Sequence, residues 1–258
     1  GEDEPLYGPT YLPRKFKLGV TAPGDNCIDI YSHDLGLVPV LRRGEIAAFT
    51  ILAGGGLDQS PGVKASHARL ADPIGVVDPP LVEKAVEAVV TIHRDYGNRE
   101  NRKLARLKYV VEDMGVDGFR AEVESRMSAR LAPAAPLCWQ DGGDHLGWYP
   151  QDIGLYFLGL PVPSGRLRDA QRACVREIVA RFQTGVHLTP QQNLLLTGIP
   201  AAERSTIDSI LRSFRVPTAA ELPPVIRDGL ACPALPTCGL AITEAERILP
   251  GVLAPIQR

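Results

Sequence analysis

Two breaks limit what this chain can become. "LAPAAPLCWQDGGDH", from Leu131 to His145, crowds proline and glycine between regular patterns, and neither residue continues a helix or a central strand. "VPTAAELPPVIRDG", Val216 to Gly229, does the same near the far end. Each stretch between the breaks must therefore close its own core. The 258 residues allow one large domain or two ordinary ones.

Before the first break, "KFKLGVTA" alternates and predicts a strand over 16–22, and "CIDIYS" reads as a second short strand. "EIAAFTILAGGG" is a further strand running into three glycines. The period then changes. In "LVEKAVEAVVTIHRDY", Leu81, Ala85, Val86, Val89 and Ile92 share one helical face. Two more helices are expected over 101–114 and 117–132, with Asp117 as N-cap and Arg120 and Glu124 paired across one turn. Between the breaks, "GWYPQDIGLYFLGLPVPSGRL" reads as a strand pair, "RDAQRACVREIVARF" as a helix, "GVHLTPQQNLLLTGIP" as a strand and "AAERSTIDSILRSF" as a helix. This alternation makes the fold class α+β. After the second break come Cys232, Cys238 and an expected helix.

Composition narrows the function classes. A net charge of -2 gives no global attraction to nucleic acid or to a membrane surface. No apolar run is long enough to span a bilayer, and the start lacks a signal-peptide core, so the cytosol is the default expectation. Five scattered cysteines argue against a disulfide framework.

Any basic chemistry must be local. "PRKFK" puts Lys15 and Lys17 on one face of a strand and Arg14 on the other. Two ammonium groups on one face attract an anion. Spacing alone favours a solvated edge strand, which lysines guard against aggregation. Gly54, Gly55 and Gly56 could turn their N–H groups to an anion or simply form a tight turn. Arg99, Arg102, Lys103, Arg106 and Lys108 form a basic helix start, a pattern that suits bound carboxylates, an acidic protein or solvent. "HLTPQQN" offers amides at Gln192 and Asn193. Cys232 and Cys238 are too widely spaced for a zinc knuckle, and two thiolates cannot complete an iron–sulfur site.

Taken jointly and in order, "YLPRKFK", "NCIDIY", "GGG", "GNRENRKLARLKY", "MGVDGFRAEVE", "HLGWYPQDIGLY", "LTPQQNLLLTGIP" and "ACPALPTCGLAITEAERILP" resemble the siroheme- and [4Fe-4S]-containing sulfite and nitrite reductases. "ALPTC" is similar to the assimilatory sulfite reductases rather than the nitrite reductases, and "WYPQDIGLYFLGLPVPSGRL" to their ferredoxin-using branch. The resemblance implies a first siroheme/4Fe-4S-type domain over 1–135, a second ferredoxin-like half domain over 140–225, and the opening of a second siroheme repeat over 229–258, the chain being cut short at both ends. It implies six-electron reduction of sulfite to sulfide by the intact parent enzyme, with ferredoxin as donor, in the cytoplasm or a plastid; the fragment alone would be inactive.

Carried over by position, Lys15 and Lys17 would contact sulfite. Arg14, Asn26, Gly54, Gly55, Gly56, Gln192 and Asn193 would lie at siroheme, and Arg102, Arg106 and Lys108 would take its carboxylates. Cys232 and Cys238 would be two of four cluster ligands. "LDQSPG" departs from the family's usual basic and histidine residues after the glycines, and His187 stands where arginine is commoner. The rival readings are a nitrite reductase and a non-catalytic α+β binding protein that has lost its cofactors.

Overall fold

The computed structural model describes residues 4–60, 62–152 and 154–256, and it divides into two compact units, 1–142 and 143–258. The fold is mixed α+β in both. Among the described residues no helix is long and apolar enough to cross a membrane.

In the first unit four strands form one sheet in chain order: β1 (Leu18–Val20), β2 (Leu35–Arg42), β3 (Glu45–Ala53) and β4 (Asp72–Val77). β1 runs parallel to β2, and the remaining pairs are antiparallel. Two-residue alternation divides the side chains between the two faces. Leu35, Leu37, Ile51 and Ala53 face α1 (Val82–Tyr96) and α2 (Leu107–Met127), where Val89, Ile92, Val111 and Phe119 complete the main core. Val38 and Leu52 face the other way and pack with Ile30, Ala71 and Trp139.

The apolar face read in α1 is the buried one: Ala85, Val89 and Ile92 are fully enclosed. The two expected helices form a single element interrupted at Gly115, whose φ of 70° and ψ of 157° leave the helical region. The Asn101 side chain accepts the Lys103 N–H and holds Arg102–Leu104 in a 3-10 turn, so α2 starts six residues later than expected. "CIDIYS" is not a strand. Asp25 Oδ1 accepts the Cys27 N–H and Asn26 Oδ1 the Ile30 N–H, both at 2.8 Å. Those side chains compete with a ladder and fold the segment into turns ending in the 3-10 turn Ile30–Ser32. The sequence reading also passed over β2 and β4.

In the second unit β5 (Gly147–Asp152), β6 (Leu155–Leu160), β7 (Gly185–Leu188) and β8 (Leu194–Pro200) form an antiparallel sheet of order β5-β6-β8-β7. Its core joins Leu158, Leu160, Leu194 and Leu196 to Cys174 and Ile178 of α3 (Asp169–Phe182) and to Ile207 and Leu211 of α4 (Arg204–Ser213). "GVHLTPQQNLLLTGIP" is two strands, reversed by a turn in which the Thr189 N–H meets the Asn193 carbonyl at 3.0 Å. After the short α5 (Pro224–Arg227), the cysteine segment runs as turns. The helix expected beyond it is confined to α6 (Leu249–Leu253).

The Arg120–Glu124 pair forms at 3.1 Å. Glu124 also accepts the Leu131 N–H at 3.0 Å and Arg130 at 2.6 Å. The Leu131 N–H and Arg130 outweigh burial and bring the Glu124 carboxyl from 4.5 down to about 2. A carboxylate held below its unfolded value stabilises the fold above pH 4.5, and that contribution is lost as pH falls toward 2. Glu124→Gln is therefore expected to lower the urea midpoint at pH 7 and to shrink its fall between pH 5 and pH 3. Equal pH dependence in both proteins would contradict this.

Candidate functional site

The lysine segment lies immediately before β1. Phe16 turns inward and packs tilted against the ring of His93, centroids 5.7 Å apart; His93 is itself buried and bonded to the Ala105 carbonyl. Lys15 and Lys17, on either side of Phe16, are exposed, as strand alternation requires; Arg14 is half-buried. The Lys17 carbonyl accepts the Leu35 N–H at 3.1 Å, extending the pairing of β1 and β2. Its N–H donates to Asp34 Oδ2 at 2.8 Å.

Asp34 is 0% exposed. Its carboxylate receives Arg106 Nε at 3.0 Å on one oxygen and Arg106 Nη2 at 2.9 Å on the other. This forked pair is the geometry that offsets the cost of burying both charges. Arg106, 2% exposed, donates through Nη1 to Asp58 Oδ1 at 2.5 Å. Lys108, 0% exposed, donates to the carbonyls of Gly56 at 3.1 Å, Asp58 at 2.7 Å and His67 at 2.5 Å. Three acceptors match the three protons of an ammonium group.

Arg106 and Lys108 are thus placed inside the first unit, with donors turned to this chain's own carboxylates and carbonyls rather than open to a ligand. Arg102 is exposed on the 3-10 turn before them.

The glycines continue β3 instead of forming a tight turn. The Gly54 N–H meets the Asp34 carbonyl at 2.9 Å, Gly55 the His33 carbonyl at 2.9 Å, and Gly56 the Arg69 carbonyl at 2.8 Å. None of these N–H groups faces an anion, which corrects that expectation. The reason for glycine is space. A Cβ on Gly55 would lie 2.2 Å from the Tyr31 carbonyl oxygen, and one on Gly54, at φ +85°, would lie 2.7 Å from Arg69 Nη1. Asn26 closes its turn through Oδ1, and its N–H donates to the Asp141 carbonyl at 2.9 Å.

Electrostatics single out Lys17. Partial burial, then Arg106 and Lys15, hold its ammonium below the ordinary lysine value of 10.5, against the smaller opposite pull of Asp34 and Asp58.

In the second unit Asn193 is buried. Its Oδ1 accepts the Val162 N–H at 2.8 Å, its Nδ2 donates to Asp144 Oδ2 at 2.8 Å, and Thr189 donates to the same oxygen at 2.7 Å. Gln192, at φ 69°, donates through Nε2 to the Ala231 carbonyl at 3.0 Å, while its buried Oε1 has no partner. Its amide therefore braces the residue before Cys232. Cys232 is exposed and Cys238 half-buried; both are free thiols, and the Cys238 N–H closes a turn onto the Ala234 carbonyl at 2.8 Å. Arg166 and Arg168 both converge on the carboxylate of Glu246, at 2.6 Å and 3.0 Å.

Residues 2–131 match the nitrite and sulphite reductase 4Fe-4S domain, and residues 149–214 the nitrite/sulfite reductase ferredoxin-like half domain. The chain belongs to the nitrite and sulfite reductase family. It is 45% identical to a ferredoxin sulfite reductase of Synechococcus elongatus, over 99% of this chain and 42% of that protein. It is 43% identical to an NADPH sulfite reductase hemoprotein beta-component of Chromohalobacter salexigens, over 98% of this chain and 44% of that one. Its fold matches that of the Mycobacterium tuberculosis NirA protein with a TM-score of 0.82 and 25% identity, over 97% of this chain and 45% of that one. The chain spans less than half the length of these relatives.

Sequence reasoning missed Asp34 and Asp58, the two carboxylates that organise the basic residues. The one available signal was a lone acid just before an apolar strand in "HDLGLV". Because Lys15 is one of the charges that lower Lys17, Lys15→Met is expected to raise the Lys17 titration midpoint toward 10.5. Carbon-13 shifts of the lysine Cε atoms would read it, and an unmoved midpoint would contradict the coupling.

Proposed function

We propose that this chain carries part of the siroheme and cluster site of a sulfite reductase that reduces sulfite to sulfide, with ferredoxin as electron donor. The observation that carries the reading is the exposed pair Lys15 and Lys17 on a buried Asp34–Arg106 support, where burial and the neighbouring Arg106 and Lys15 charges hold the Lys17 ammonium below its ordinary value. Such a site favours an anion. The donor assignment rests on the similarity to the Synechococcus elongatus protein and on the exposed Arg99 and Lys103 as a basic surface. On this reading 1–135 is a siroheme/4Fe-4S-type domain, 140–225 a ferredoxin-like half domain and 229–258 the opening of a second siroheme domain.

The residues fit the groups this implies. A cluster usually takes four thiolates, and Cys232 and Cys238 offer two free thiols on a segment braced by Gln192. Siroheme bears many carboxylates, which suit Arg14 and Arg102; in the first unit Asn26, Gly54, Gly55 and Gly56 would shape the surrounding walls. Bound together, siroheme and cluster supply the redox chemistry.

This chain's own groups do the rest. Lys15 and Lys17 hold the sulfite oxygens by charge-assisted hydrogen bonds. Lys17, with its proton loosened by burial and by Arg106, donates that proton to a sulfite oxygen. That oxygen would leave as water with a second proton from solvent and two electrons from the reduced donor, and Lys17 regains its proton from solvent. In the intact parent enzyme Lys17→Met is expected to lower kcat by about a hundredfold or more, the ordinary scale of a lost general acid, with little change in thermal stability.

The deciding experiment is an absorption titration of the chain with siroheme, followed by assay of iron and acid-labile sulfide. A siroheme spectrum abolished by Arg14→Ala and Arg102→Ala together supports the reading. No siroheme binding by the unmodified chain would count against it.

A further inference from the structure

Asp58 is the least expected member of the site. It stands in the segment after the glycines, its side chain is 49% exposed, and yet its Oδ1 lies 2.5 Å from Nη1 of an otherwise buried arginine. Lys108 Nζ is a further 3.8 Å contact. Arg106 uses Nε and Nη2 on Asp34, so Nη1 is the guanidinium edge turned toward the outside, and Asp58 occupies it. Gly56 makes the room: a Cβ there would lie 3.3 Å from Asp58 Oδ1 and 3.2 Å from Arg106 Nη2.

The backbone under Asp58 is pinned. Lys108 holds the Asp58 carbonyl at 2.7 Å and the flanking Gly56 and His67 carbonyls as well. The carboxylate can therefore leave Arg106 by rotating its side chain alone, without moving the strand or α2. The half-exposed carboxylate is rehydrated as it leaves, and Arg106 stays paired with Asp34 through Nε and Nη2.

We propose that Asp58 is an internal stand-in for a ligand carboxylate: it covers a carboxylate-binding edge on Arg106 and swings out when a carboxylate-bearing ligand takes its place. The proposal deepens the reading above, siroheme being the polycarboxylate in question. Asp58 then acts as a built-in competitor that weakens ligand affinity and keeps the buried guanidinium paired when no ligand is bound. The charges facing it agree. Burial raises the Asp58 carboxyl, but Arg106, Lys108 and the more distant Lys15 outweigh it and leave it ionised and below its ordinary value.

The test uses the full chain and citrate, a plain tricarboxylate, with the Arg106 Nε–H resonance as reporter because that proton is buried against Asp34. Citrate should move this resonance. Asp58→Asn and Asp58→Ser, which remove the competing charge, should bind citrate about threefold tighter or more, whereas Asp58→Glu, which keeps it, should not. Two charge-removing variants guard against one failing to fold. Unchanged or weaker binding by both would overturn the proposal. So would tighter binding that leaves the Arg106 resonance still, since the charge would then be acting through Lys15 and Lys17. A parallel siroheme titration separates the two readings: if citrate behaves as expected and siroheme binds neither protein, the cofactor assignment fails and the carboxylate edge stands.

Discussion

The buried pair of Asp34 and Arg106 is the constraint on which the first unit's site depends. Neither charge reaches solvent, so each is tolerable only because the other is there. Removing one partner of such a pair costs about 3–5 kcal/mol, because the remaining charge stays buried and unpaired. What the pair provides is placement. Asp34 takes the Lys17 N–H on its side chain and the Gly54 N–H on its carbonyl. Arg106 reaches across to Asp58. Lysine segment, glycine strand and acidic loop are thereby indexed to one another through two side chains.

The second unit uses a related device, an aspartate held by an amide and a hydroxyl in place of a guanidinium. Asn193 and Thr189 both donate to Asp144, while Asn193 also accepts the Val162 N–H, which fixes the turn between β7 and β8. Gln192, held in that turn, reaches the Ala231 carbonyl beside Cys232. In both units the segment that carries the exposed lysines or the free thiols is irregular backbone, and a buried polar residue supplies the rigidity that a helix or strand would otherwise give.

Much of this was legible in the sequence. The helical period of α1, the strand pair β5 and β6, and α3 and α4 follow from local patterns, and local patterns decided them. The strand predicted for "CIDIYS" failed because Asp25 and Asn26 bond to nearby backbone, a competition that apolar alternation does not report. The basic helix start was visible, but its direction was not. Arg106 and Lys108 face inward because Asp34 and Asp58 wait there, 72 and 48 residues from Arg106, and no local signal pairs such distant charges. Lys15 and Lys17 were legible because exposure along an extended segment needs only alternation.

Amide hydrogen exchange in Asp34→Ala tests the central claim most directly. If the buried pair indexes the site, the amides of Lys17 and of Gly54–Gly56 lose protection by about tenfold or more, while those of Cys174 and Ile178 in α3 keep theirs. Unchanged protection at Lys17 would show that the lysine segment is held by something else, and the account would be wrong.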